Sequence, residues 1–163
     1  MGQFKKIQSS NEKELYDVLN GIAYQNIQEP RVNYSSNIFA NKFKVNQIIM
    51  SGLSYPIFEK MQNNISFNKD EWAEFLDLSV RTLDRYKKEQ KRFKASQSEK
   101  IISLIEVLER GKHVFGDLEV FKKWLHQEVP ALANTKPINL LYTSYGKELV
   151  MAELTRIEHG VFA

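Results

Sequence analysis

The clearest chemical signal in this chain is a group of basic side chains in one short window. Between Arg81 and Lys94, seven Lys or Arg residues stand against two acidic ones, a local net charge of +5, whereas the segments before and after each carry −1. The whole net charge of +3 therefore comes from 14 residues. Two explanations fit such a window: a polyanion is its partner, or it is the solvated face of a helix.

The residues around this window predict two short helices joined by a tight turn. Ala73 is small enough to let the two helices cross closely. Ser79 suits the N-cap of the second helix, because its hydroxyl can accept a hydrogen bond from the backbone N–H of Thr82. Asp77 stands where such a turn usually has Gly, and Asp tolerates a left-handed backbone better than most residues. The pattern is typical of a helix-turn-helix, supported by the apolar residues Trp72, Phe75, Leu76, Leu78, Leu83 and Tyr86.

Helical geometry assigns the outward side chains of the second helix. When Leu83 and Tyr86 point inward, residues three and four positions apart line the opposite side. There, Arg can bind guanine through two hydrogen bonds, Thr can contact a thymine methyl group or a phosphate, and Lys offers a point charge to phosphate. Basic residues beyond the helix would follow the phosphate backbone or serve solubility alone. The predicted DNA-binding residues are Arg81, Thr82, Arg85, Lys87, Lys88, Lys91 and Arg92.

DNA is the favoured polyanion, because the charge excess and the helix-turn-helix pattern are independent features that coincide in the same residues. One recognition helix rarely gives enough contacts on its own. We therefore expect a homodimer that binds two half-sites of operator DNA.

The sequence offers no site for catalysis or for a cofactor. It contains no cysteine, which excludes disulfides, thiol nucleophiles and thiolate metal sites. The three histidines, His113, His126 and His159, follow different elements without metal-binding spacing, and no Gly-rich phosphate loop is present. We expect no enzymatic activity, no cofactor and no metal.

A membrane location is also not expected. The longest uncharged stretch, Val45–Phe58, has 14 residues, which is short of the roughly 20 that a membrane span needs. Residues 1–6 lack the apolar region of a signal peptide. We expect a cytoplasmic protein.

Helical periodicity accounts for the rest of the chain, so the predicted fold class is all-α. Residues 10–19 predict a capped amphipathic helix, and residues 21–41 predict a loop or arm. Ser96–Glu99 has the pattern of a capping box, from which the longest helix should run until just before Gly111. Further helices are predicted at Phe43–Met50 and Tyr55–Met61, from Asp117, from Pro137, and from Ser144–Gly146 to Gly160.

The order of these motifs resembles the antitoxins of RES/Xre toxin-antitoxin modules, with their Xre/MbcA/ParS-like toxin-binding domain. The most specific segments are Lys136-Pro-Ile-Asn-Leu-Leu141 and Arg156-Ile-Glu-His-Gly-Val-Phe162. The resemblance runs from Val45 to the C-terminus. It implies a helix-turn-helix DNA-binding domain in 45–110 and a small helical toxin-binding domain in 111–163. Residues 1–44 lie outside the resemblance, and their own pattern predicts an N-terminal helix and an irregular arm.

The resemblance further implies a small cytoplasmic antitoxin that covers the active site of a RES-domain toxin, which consumes NAD, and represses its own operon. A homodimer would form a hetero-oligomer with the toxin. Trp124 and Leu141 would hold the core of the toxin-binding domain. The residues facing the toxin would be Arg156, Glu158, His159, Gly160, Val161 and Phe162.

Two alternatives stay open at this point. Phe162 can fill an apolar slot of a toxin, but Val161 and Phe162 can also pack back onto their own helix. The whole chain can instead be a stand-alone helix-turn-helix transcriptional repressor, with a C-terminal module for oligomerisation or effector sensing. Removal of the tail separates the two functions, because an occluding tail is essential for neutralisation and not for repression.

Overall fold

A computed structural model describes residues 12–13, 15–19 and 38–160 of the chain. The regular elements in these ranges are all helical, which confirms the predicted all-α class. Residues 12–13 and 15–19 belong to a first helix, α1. The others are α2 (Lys42–Ser51), α3 (Tyr55–Gln62), α4 (Lys69–Phe75), α5 (Val80–Glu89), α6 (Ala95–Phe115), α7 (Leu118–Leu125), α8 (Pro137–Leu140) and α9 (Ser144–Glu158), with short 3-10 turns at Ile38–Ala40 and Pro130–Leu132.

The chain divides into two compact units, Met1–Ile102 and Ser103–Ala163. The domain borders predicted after residues 44 and 110 are not decided by this division and stay predictions. The loop predicted for residues 21–41 lies outside the described residues, apart from positions 38–41.

The core of the first unit is a cluster of buried aromatic rings. The Phe58 ring centre lies 4.9 Å from that of Phe93 and 5.3 Å from that of Trp72. Tyr86 joins the cluster from α5, with its ring centre 5.0 Å from that of Phe93. All four side chains are buried, so α5 is held by the face that carries Tyr86.

A backbone joint connects the turn after α2 with the segment after α5. The Phe93 N–H donates to the Leu53 carbonyl oxygen over 2.8 Å. Gly52 has a φ of +77°, and a Cβ at this position would overlap the Phe93 carbonyl oxygen, so only glycine fits. We call these contacts the 52–93 joint.

The predicted capping box at Ser96–Glu99 is wrong. Helix α6 begins at Ala95, so Ser96 lies inside its first turn. Ser98 is fully buried and completes the 52–93 joint instead: its hydroxyl accepts from the Leu53 N–H at 2.8 Å and donates to the Phe93 carbonyl at 3.4 Å. The burial of Ser98 and its two backbone partners thus fix the first turn of α6 against the segment before it.

The predicted helix end before Gly111 is also wrong. Helix α6 continues to Phe115, and the chain then turns at Gly116, which has a φ of +71°. Gly111 is required by packing, because a Cβ there would overlap the ring of Phe121 on α7. The close approach of α7 explains a glycine that the sequence pattern alone reads as a stop signal.

We predict that Gly111→Ala destabilises the protein by about 1–3 kcal/mol, because the added methyl group must displace the Phe121 ring. Helix propensity alone predicts the opposite effect, an increase of up to about 1 kcal/mol in the free energy of unfolding. Urea denaturation measures the difference, with Glu148→Ala at an exposed site of α9 as the control. A stabilised Gly111→Ala variant would contradict the packing.

Candidate functional site

The turn between α4 and α5 has the predicted geometry. Asp77 is left-handed with a φ of 52°, and the Leu78 N–H donates to the Ala73 carbonyl over 2.8 Å. The Lys100 ammonium group holds the turn from α6, donating to the Asp77 carboxylate and to the Phe75 carbonyl, both at 2.8 Å. The Asp77 carboxylate thus forms an ion pair with Lys100, which a glycine at this position could not form.

Helix α5 begins as predicted. The Ser79 hydroxyl accepts from the Thr82 N–H at 3.1 Å, and the hydroxyl groups of Ser79 and Thr82 lie 2.9 Å apart. Leu83 and Tyr86 are buried, as their spacing predicted. The helix ends at Gln90, which adopts a left-handed conformation. Both ends and the inner face of α5 are therefore fixed, which gives its outer face a defined orientation.

The outer face of α5 is basic. Arg81, Arg85 and Lys88 are exposed, and none of them forms an ion pair with another residue that the structure describes. Lys87 lies 3.6 Å from the Glu59 carboxylate, and Lys91 lies 2.5 Å from that of Glu89. These two surface ion pairs are weak enough to be exchanged for phosphate contacts.

Electrostatics around the end of α5 agree with this geometry. The hydrogen bond from Lys91 lowers the pKa of Glu89, and the nearby charges of Arg85 and Lys88 lower it further. The only carboxylate in the last turn of α5 therefore stays ionised over the physiological range, and the surrounding cations outnumber it.

Arg92 has a different position from the other basic residues. Its guanidinium donates to the Glu12 carboxylate of α1 at 2.7 Å, to the Gly52 carbonyl at 2.5 Å and to the Ser51 carbonyl at 3.3 Å. The same Glu12 oxygen also accepts from the Ser54 N–H at 3.3 Å. Arg92 thus links α1 to the 52–93 joint through its Nε and one of its two terminal nitrogens.

We predict that Arg92→Ala lowers the free energy of unfolding by about 1–3 kcal/mol, because the Gly52 carbonyl loses its side-chain donor and the Glu12 carboxylate loses its ion-pair partner. The matched control Lys88→Ala removes an exposed charge and should change stability by less than about 0.5 kcal/mol. Thermal and urea denaturation of both variants provide the comparison. Equal stabilities would show that Arg92 has no structural role.

The second unit is organised around the buried face of α9. Thr143 caps this helix, its hydroxyl accepting from the Gly146 N–H at 3.0 Å. Gly146 lies against the Leu140 carbonyl so closely that no Cβ fits between them. Val150 and Leu154 follow on the same face and are fully buried. Close packing of a capped helix fixes where its C-terminal end lies within this unit.

The C-terminal end of α9 is anchored by ion pairs. The Arg110 guanidinium binds both carboxylate oxygens of Glu158, and the His113 Nε2 lies 3.2 Å from that carboxylate. The hydrogen bond from Arg110 lowers the pKa of Glu158. Arg156 pairs with Glu153 one turn back on α9. Two of the predicted toxin-facing residues are therefore held by partners in their own unit.

The other predicted toxin-facing residues lie at or beyond the end of α9. His159 and Gly160 are exposed, and Gly160 has a φ of +67°. Val161 and Phe162 lie outside the described residues. The structure thus places Arg156 and Glu158 in the last turn of α9 and His159 and Gly160 directly after it.

The predicted core residues of this unit differ in burial. Leu141 is buried, as predicted. Trp124 is only half-buried, stacking on one side against Phe121 at 5.8 Å and lying 5.6 Å from Phe115 between ring centres. Its indole therefore keeps a solvent-accessible surface on α7.

Two exposed apolar residues were missed by the sequence analysis. Tyr145 is 81% exposed and Leu149 is 54% exposed, and they lie four positions apart on α9. Periodicity counted Leu149 among the apolar residues of this helix without separating its outer face from its inner face. Each residue of the pair comes one position before a residue of the buried series Gly146, Val150 and Leu154. This shift by one residue places the pair on a different face of the helix and could have identified it.

Two further features were sought in the described part of the chain, a metal site and a membrane span. No cluster of three or more potential metal ligands occurs among those residues. None of the helices described is both long and apolar enough to cross a membrane.

Comparison with known protein families identifies both units. Residues 44–106 match the antitoxin Xre-like helix-turn-helix domain, and residues 110–160 match the antitoxin Xre/MbcA/ParS C-terminal toxin-binding domain. Together the two matches cover more than half of the chain. The chain belongs to the Xre-type antitoxin family. The resemblance found in the sequence is confirmed, as is the order of a helix-turn-helix domain followed by a small helical toxin-binding domain.

Two relatives support the same family. "Antitoxin Xre" of Photorhabdus laumondii subsp. laumondii is 28% identical over 118 residues, which are 72% of this chain and 80% of the relative. "Antitoxin Xre" of Yersinia enterocolitica serotype O:8 is 28% identical over 116 residues, or 71% of this chain and 78% of the relative. Both carry the name of an antitoxin and not of an enzyme.

Proposed function

We propose that this Xre-type antitoxin neutralises a RES-domain, NAD-consuming toxin in the cytoplasm by covering its active site, and that it represses its own operon. The observation that carries the proposal is the presence of both domains in one chain, each with an exposed surface suited to its partner. Helix α5 presents cations, and the end of α9 presents a charged turn followed by the tail. The chain needs no cofactor for either task.

The DNA part of the proposal rests on the orientation of α5. Arg81, Arg85 and Lys88 share its exposed side, opposite the buried Leu83 and Tyr86. In a helix-turn-helix this side enters the major groove, where Arg is suited to guanine and Lys to phosphate.

The other predicted contacts receive different roles in this proposal. Lys87 and Lys91 exchange their surface ion pairs for phosphate, and Thr82 offers a hydroxyl beside its Ser79 partner. Arg92 holds the 52–93 joint through Nε and one terminal nitrogen, and its other terminal nitrogen stays assigned to phosphate in this proposal. A homodimer supplies the second recognition helix.

We predict that Arg85→Ala weakens binding to the promoter fragment of its own operon by about 5- to 150-fold, the range for loss of a bidentate base contact. Lys136→Ala removes one exposed charge from the other unit and should leave affinity within about 2-fold. Fluorescence anisotropy at several salt concentrations measures both. Affinity of the unaltered chain should fall steeply with salt, because phosphate contacts release counterions. Salt-independent binding would contradict the proposal.

The toxin part of the proposal assigns two kinds of role to the end of α9. Glu158 and Arg156, held by Arg110 and Glu153, fix the direction in which the chain leaves the helix and offer charges at its rim. His159, Gly160, Val161 and Phe162 enter the cleft of the toxin. Charged groups there meet those that otherwise bind phosphate or ribose, and Phe162 fills an apolar slot.

The match to a toxin-binding domain favours this function over a stand-alone repressor.

We predict that a variant lacking residues 160–163 loses neutralisation, because the cleft stays open, but keeps its affinity for promoter DNA within about 2-fold. Growth of cells that co-express the neighbouring toxin gene measures neutralisation, and anisotropy measures DNA binding. Full protection by the truncated chain would refute the role of the tail.

A further inference from the structure

The outward face of α9 is a second exposed surface of the toxin-binding domain. Tyr145, Leu149, Ala152 and Arg156 follow one another at spacings of four, three and four, so they lie along one side of the helix. Val150 and Leu154 lie on the opposite, buried side. The face begins with two large apolar side chains and ends at the residues proposed to meet the toxin.

We propose that this face is a docking surface for the same toxin, separate from the tail that enters its cleft. The proposal rests on the proposed function and adds where the affinity of the complex comes from. Tyr145 and Leu149 are 81% and 54% exposed, and two neighbouring large apolar side chains form a patch that contact with a partner removes from water. Tyrosine is also a frequent anchor residue of protein interfaces.

Continuity with the end of α9 identifies the toxin as the occupant. Arg156 lies on this face, and His159 follows on the same side one turn later. From Tyr145 to His159 the face extends about 21 Å, at 1.5 Å per residue. The match to the toxin-binding domain includes all of α9 and ends at residue 160, before the last residues of the tail. The part of the domain held in common with the family therefore includes the whole of this helix.

In this proposal the face of α9 and the tail have different roles in the complex. The face of α9 supplies buried apolar area and holds the toxin, whereas the tail supplies occlusion of the active site. The toxin surface that it fits has an apolar depression with a polar group that can accept a hydrogen bond from the Tyr145 hydroxyl. A chain without its tail should therefore still bind the toxin while failing to inhibit it.

The experiment compares two matched double variants of the full chain. Tyr145→Ala/Leu149→Ala truncates the proposed face, and Phe43→Ala/Met50→Ala truncates two apolar residues of α2 that are 72% and 70% exposed in the DNA-binding unit. The probe is the purified protein encoded by the neighbouring gene, and titration calorimetry measures its affinity. Promoter binding and the thermal midpoint show that each variant is folded.

We expect the α9 variant to bind the toxin on the order of 30-fold more weakly or worse, and the α2 variant to bind within about 3-fold of the unaltered chain. Unchanged affinity of the α9 variant, or equal losses in both variants, would overturn the docking surface while leaving the proposed function intact. A change from dimer to monomer in the α9 variant alone, with toxin affinity retained, would assign the face to a second copy of the chain and also overturn it. An unaltered chain that binds no neighbouring protein would instead refute the proposed function itself.

Discussion

The 52–93 joint is the contact on which the orientation of the recognition helix depends. Phe93 follows α5 by a few residues, and its backbone is tied to Leu53 while its ring lies in the aromatic core. Gly52 makes this approach possible because it has no side chain, and Ser98 satisfies the polar groups that the approach buries. Buried backbone N–H and carbonyl groups need hydrogen-bond partners. The hydrogen bonds of the joint therefore fix where the segment after α5 lies.

The basic surface follows from this constraint. Helix α5 is fixed at its start by the Ser79 cap, along its inner face by Tyr86 and at its end by the joint. Its cations are then presented in one arrangement, which lowers the entropy cost of binding DNA. The Lys100 ammonium group adds a hold on the left-handed turn before α5, where Asp77 replaces the usual glycine.

The toxin-binding domain applies the same principle to a helix end. Gly146 brings α9 against α8, and the Arg110–Glu158 ion pair fixes its last turn. The residues that follow then start from a defined point. In the proposed function such an anchor lowers the entropy cost of placing the tail in the cleft of the toxin.

Predictions from the sequence are right for features that depend on residues nearby in the chain. They are wrong for features that depend on contacts with distant residues. Ser79 as a cap and the buried spacing of Leu83 follow from local geometry, and both are confirmed. Ser96 and Gly111 carry local signals for a cap and a stop, but α6 already begins at Ala95, and Gly111 is required by the Phe121 ring on another helix. Ser98, in the same segment as Ser96, is held by the distant Leu53. The family resemblance supplied the proposed partner, a RES-domain toxin, which no residue pattern could give.

Purification of this chain with the product of the neighbouring gene decides whether the chain neutralises a toxin. The tag belongs at the N-terminus, so that the tail after α9 stays free. We expect a stable complex with a protein that depletes NAD and stops growth when it is expressed alone. Recovery of the chain by itself, beside a harmless neighbour, would contradict the antitoxin function and favour a stand-alone repressor.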